Sequence, residues 1–107
     1  MFTQVTETIF RDMFQAIRPD NFTRPGLVAL FDHLENYEDE TGEQVEFDVI
    51  GLCCDFDEYA NWAEFSDEWD YFLFSNGIES ENFEQLQEYT TVIRFGDSSF
   101  IINYSAL

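Results

Sequence analysis

The chain has 107 residues with 23 Asp and Glu, four Arg, no Lys and one His, a formal charge of −19. This length suits one domain over residues 1–107, and a 45% hydrophobic content with thirteen Phe, five Tyr and two Trp excludes a disordered acidic tail. The charge makes nucleic acid and anionic membranes poor direct partners, and no run nears the ~18 apolar residues of a membrane span.

Ile9, Met13 and Ile17 recur at helical spacing with Phe10 and Phe14 beside them. A first helix is predicted from about Thr6, its cap, to Ile17, ended by Pro19. After the turn "PDNF", a second helix starts near Thr23 or Arg24 with Pro25 in its first turn. Leu27, Leu30, Phe31, Leu34 and Tyr37 form its expected buried stripe. Asp32, Glu35 and Asp39 follow i, i+3, i+7 on another face with Glu38 close by, and Gly42 is the stop.

"EFDVIGLCCDF" is rich in Val, Ile, Cys and Phe, which predicts a strand over about 46 to 54 with Cys53 and Cys54 on opposite faces. From about Glu58 to Phe74 the pattern is helical, with Trp62, Phe65, Trp69 and Phe72 as the seam. Glu64, Asp67, Glu68 and Asp70 fall largely off that seam. Tyr71 and Phe74 lie on a different face, where one exposed ring among acids would anchor a protein partner. "SNG" closes this segment, and Ser80 caps a short helix through Tyr89 with Phe83 and Leu86 inward. "TTVIRF" and "FIINY", joined by "GDSS", make a closing hairpin. The order α-α-β-α-α-β-β implies an α+β domain: a small three-stranded, mainly antiparallel sheet covered by helices.

Site chemistry is sparse. A zinc site needs three or four ligands at spacings such as C-x-x-C, and two adjacent cysteines with a distant His33 fall short. At least one cysteine is expected to be buried and structural. An EF-hand loop needs Gly sixth and Glu twelfth, but counting from Asp55 gives Ala60 and Ser66, and from Asp39 gives Gln44 and Ile50. There is no nucleophile elbow, phosphate loop or H-E-x-x-H motif. The expectation is a protein that is not an enzyme and uses no cofactor or metal. "MFTQVTETIF" lacks a basic n-region, and adjacent cysteines rarely meet disulfide geometry, so a reducing cytoplasm is the expected setting.

The charge has a pattern as well as a size. No Lys or Arg stands between Arg24 and Arg94, and residues 25 to 93 hold nineteen acids. A surface chosen for solubility mixes both signs. A domain of this length has a radius of gyration of roughly 13 Å, hence a diameter of about 34 Å, the length of about ten base pairs with about twenty phosphates. Acids three or four apart on a helix lie about 5–6 Å apart at Cβ, close enough to imitate a phosphate row.

In "EFDVIGLCCDFDEY" and the later "TTVIRF" and "GDSSFIINY", the sequence resembles small acidic proteins encoded by bacteriophages and mobile elements. In size and charge it is similar to phage inhibitors of host defence, including anti-CRISPR and anti-restriction proteins that mimic DNA. The resemblance implies a non-catalytic inhibitor in the bacterial host's cytoplasm that occupies the basic nucleic-acid surface of a defence complex, a Cas effector first. Asp32, Glu35, Glu38, Asp39, Glu40, Glu43, Glu64, Asp67, Glu68 and Asp70 would then stand in for phosphates. Two other readings stay open: an acidic module that blocks a partner away from its DNA site, and a small enzyme or metal protein.

Overall fold

In the computed structural model, which describes residues 5–106, Thr6 caps the first helix, its hydroxyl accepting the Ile9 N–H at 3.3 Å. Helix α1 runs over Glu7–Ile17. Phe10 and Phe14 face inward, whereas Ile9, Met13 and Ile17, the expected periodic stripe, stay exposed. Phe10 and Phe14 meet Phe31, Phe47 and Phe22 ring to ring, so the aromatic side of the helix takes the core. Helix α2 covers Arg24–Thr41. Thr23 accepts the Gly26 N–H at 3.1 Å, Pro25 occupies the first turn, and Gly42 ends the helix at φ 72°. Leu27, Leu30 and Leu34 are buried, but Tyr37, expected inward, is exposed near the end of the helix.

The strand predicted over about 46 to 54 is not formed. Val49–Asp55 is a helix, α3, and strand β1 follows at Phe56–Tyr59. The apolar run meets both periods. Wound as a helix, it sets Val49, Leu52, half-buried Cys53 and Phe56 against α1 and α2. The strand position is taken instead by "FDEY", whose alternation gives each face of the sheet one ring. The next helix, α4, therefore begins at Trp62 rather than near Glu58 and reaches Ser75, capped by Asn61, which accepts the Glu64 N–H at 2.9 Å. It is bent at Trp69, whose backbone (φ −111°, ψ 24°) leaves the helical region. Helix α5 is shorter than expected, Phe83–Gln87, because Asn82 rather than Ser80 caps it. Strands β2 (Val92–Phe95) and β3 (Ser99–Asn103) form the predicted hairpin across Gly96, at φ 61°, Asp97 and Ser98.

The fold is α+β, with the predicted element order plus the additional α3. The sheet order is β1-β3-β2, and both pairings are antiparallel. Its two faces carry separate cores. Ile93, Ile101 and Phe56 meet α1, α2 and α3, while Tyr59, Phe100 and Ile102 meet α4 and α5. The central strand thus reads as an unbroken apolar run, as a strand covered on both sides does. Phe100, Ile101 and Ile102 are fully buried, each worth roughly 1.5–3 kcal/mol.

Candidate partner-binding surface

The first acidic group rides on α2. Asp32, Asp39 and Glu40 are exposed, Glu35 is half-exposed, and Glu43 is exposed just past the Gly42 cap. Glu38 is partly turned to structure, accepting the Val45 N–H at 2.7 Å and so folding the following loop back on the helix. Glu38, Asp39 and Glu40 occupy the last turn, which contains no basic residue. The C-terminal end of a helix carries about half a negative charge. These carboxylates therefore stand where the helix itself repels them.

The second group lies on α4, on the opposite side of the sheet from α2. Glu64, Asp67, Glu68 and Asp70 are all exposed. Glu68 also meets the Tyr59 hydroxyl at 2.9 Å. That hydroxyl has Asp57 Oδ2 at 3.1 Å and accepts the Trp69 indole N–H at 2.9 Å. A phenol has one proton, so it can donate to only one of the two carboxylates. Burial, opposed by the Tyr59 hydroxyl and reinforced by Glu68, pushes Asp57 above its ordinary range, and burial pushes the Tyr59 phenol far up as well.

Glu58, next to Asp57, points to the other face. Its Oε1 accepts the Thr23 N–H at 3.0 Å and lies against the Cα of Gly26, so a carboxylate from the sheet covers the first turn of α2. A Cβ at position 26 would fall on that carboxylate. Burial pushes Glu58 upward too, with the Thr23 hydrogen bonds opposing and the charge of Glu64 adding to the rise. Glu64 thus belongs near the start of α2. The acids ending α2 lie about 25 Å away along its axis, at 1.5 Å per residue. The ten predicted residues therefore lie on two layers, six on α2 and the loop after it and four on α4, with Glu64 beside the start of α2.

Three of the four Arg gather at α1 and the start of α2, with Arg11 and Arg24 lining one cleft. The Arg94 guanidinium lies 4.1 Å from the Phe83 ring centre on the α5 side, while Arg11, Arg18 and Arg24 belong to α1 and α2 and the turn between them. His33, the one group in the acidic interval able to become a cation, is half-buried edge-on to Phe56. Burial lowers its pKa from the ordinary 6.5, against the pull of Glu40, and so holds it neutral at physiological pH. Cys53 is half-buried, with its thiol pushed up by burial, and Cys54 is exposed; both are free.

Two features go beyond what the sequence pattern predicts. Asp57 and Glu58 have structural partners that no spacing announces. Tyr71 and Phe74 are both exposed, at 84% and 85%, where only one was expected. Their displacement from the Trp62–Phe65–Trp69–Phe72 seam was the available signal.

No protein-family model, curated protein or solved structure matches this chain. Among the described residues no three His, Cys, Asp or Glu side chains gather as a possible metal site, and no helix is long and apolar enough to cross a membrane.

Proposed function

We propose that the chain is a phage-type inhibitor of a bacterial host defence system, acting without catalysis in the host cytoplasm. It occupies a basic nucleic-acid-binding surface as an acidic DNA mimic, and a CRISPR effector is the first partner to test. The observation that carries this reading is the interval from 25 to 93, with nineteen acids, no Lys or Arg, and its single His held neutral by burial. The dimensions support it. A charge of −19 along a 43 Å axis is one charge per about 2.3 Å, against about 1.7 Å for duplex DNA. The last turn of α2 supports it as well, because acids kept where the helix dipole opposes them suit a surface read by cations.

Competition tests the proposal. Labelled target DNA is bound to a guide-loaded effector and the chain is added to saturation. Displacement that weakens as salt rises is the expected result. DNA binding left unchanged across effector types would refute mimicry. The second reading, a module that binds its partner away from the DNA site, is favoured by one specific observation, the exposure of Tyr71 and Phe74.

A further inference from the structure

Among the described residues, the other exposed large hydrophobics show between 38% and 44% of their surface, about half the exposure of Tyr71 and Phe74. Neither ring has room inside, because Trp62, Phe65 and Leu73, with Trp69 and Phe72 packed beside them, already fill the inner side of α4. Tyr71 and Phe74 are three apart, so they neighbour each other on the helix beyond the Trp69 bend, with Asp70 four residues before Phe74 and Asp67 on the turn before the bend. The result is an outward stripe with two acids at one end and two aromatic rings at the other.

We infer that this stripe is an anchor surface for a basic protein. Tyr71 and Phe74 enter an apolar pocket on the partner, and Asp67 and Asp70 pair with Lys or Arg at its rim. Charge selects this occupant. A second copy would bring −19 against −19 and set the same two aspartates against their twins across a two-fold axis. Anionic lipid and nucleic acid are repelled for the same reason. Two aromatic side chains supply roughly 300–500 Å² together. A standard interface buries about 800 Å² per partner, so the rings form its centre and the acids its rim. The inference rests on the proposed function for the partner's positive charge alone, not for the use of a DNA channel.

The test uses two synthetic peptides with the same number of lysines, an amphipathic Lys/Leu helix and an oligolysine, each titrated into the labelled full chain and followed by amide NMR shifts at low and high salt. The expected result is a preference for the Lys/Leu peptide that persists at high salt, with the largest shifts over residues 67 to 75. The Tyr71→Ser/Phe74→Ser variant should lose about tenfold or more in Lys/Leu affinity, approaching oligolysine. Ile50→Ser, which removes an exposed apolar chain on α3, should keep the preference. Because residues 71 and 74 face solvent, unchanged melting temperatures certify the fold of each variant. Equal affinity for the two peptides, or a double variant that binds the Lys/Leu helix like the parent, overturns the inference. Self-association that vanishes in the double variant overturns it in favour of a second copy. Failure of DNA competition with the peptide preference intact sinks the mimic and leaves the anchor standing.

Discussion

Replacing Asp39 and Glu40 by Lys should make this protein more stable while weakening any cation-reading function. Both side chains are exposed in the last turn of α2, at a helix end that carries no basic residue. Each charge at a helix end is worth about 0.3–1 kcal/mol, and each substitution removes a repulsion and adds an attraction. Two reversals therefore yield about 1–4 kcal/mol at low ionic strength. Glu35 stands four residues before position 39, the favoured orientation for a Glu–Lys pair, which adds about 0.2–0.5 kcal/mol. A domain of this size gains roughly 4–8 °C in melting temperature per kcal/mol, so a rise of several degrees is expected. Thermal melts followed by circular dichroism at low and high salt read it directly. Asp39→Asn/Glu40→Gln should give about half the gain, and salt should shrink both gains. A double Lys variant that melts no higher than the parent at low salt would show that these acids do not oppose the helix. The stability–function conflict inferred from them would then be void.

Three further outcomes follow from the acids that face inward. Gly26→Ala should destabilise the protein by about 1 kcal/mol or more, because the new methyl displaces Glu58 from the Thr23 N–H; in a Glu58→Ala background the same change should cost less, since only the close approach to the Thr23 hydroxyl remains and the helix preference for Ala offsets it. Denaturant melts of the four variants check this, and an equal cost in both backgrounds would refute it. Tyr59→Phe should cost about 1–3 kcal/mol, because the Trp69 N–H loses its acceptor and one of the Asp57 and Glu68 carboxylates loses its donor, and no loss on denaturation would refute the network. Asp57 and Glu58 have raised folded values, so the folded state binds their protons more tightly than the unfolded chain does. Their contribution is full below the ordinary 3.8 and 4.5 and is lost as pH rises through the folded values. His33, lowered, acts oppositely: its contribution is present above 6.5 and falls away as pH drops through its folded value. Below the range in which His33 titrates, melting temperature should therefore climb on acidification toward about pH 4.5, less steeply in Asp57→Asn, and a flat or falling profile in a His33→Gln background would contradict this.

The helices of the first half were legible because caps and breakers are local: Thr6, Thr23, Pro25 and Gly42 act through bonds or dihedrals within a few residues. The hairpin was legible for the same reason. The run at 49 to 55 was not, because its spacing satisfies a strand and a helix alike, and the choice was made by what Val49 and Leu52 could reach. Strand β1 was hidden by its composition. Asp57 and Glu58 argue against a covered strand until Tyr59 and the first turn of α2 are in place to receive them, and both partners depend on the tertiary fold. Eight of the ten candidate acids are exposed charges, as their spacing predicts, while Glu35 and Glu38 are half-buried. Their division between two layers was not legible, because sequence spacing sets positions around one helix and says nothing of which side of a sheet that helix covers.

The central strand has a consequence for the order in which the chain acquires structure. β3 is the last of the three strands to be synthesised, yet it lies between the other two and supplies both cores. Until it emerges, β1 and β2 have no partner strand, and the cores under α2 and α4 lack their central residues, Ile101 on one side and Phe100 and Ile102 on the other. Closing β1 onto β3 spans about forty residues of intervening chain, a slow, non-local step. For that interval the nascent protein exposes two sticky aromatic faces, and its high negative charge then serves a second purpose, keeping unfinished chains apart.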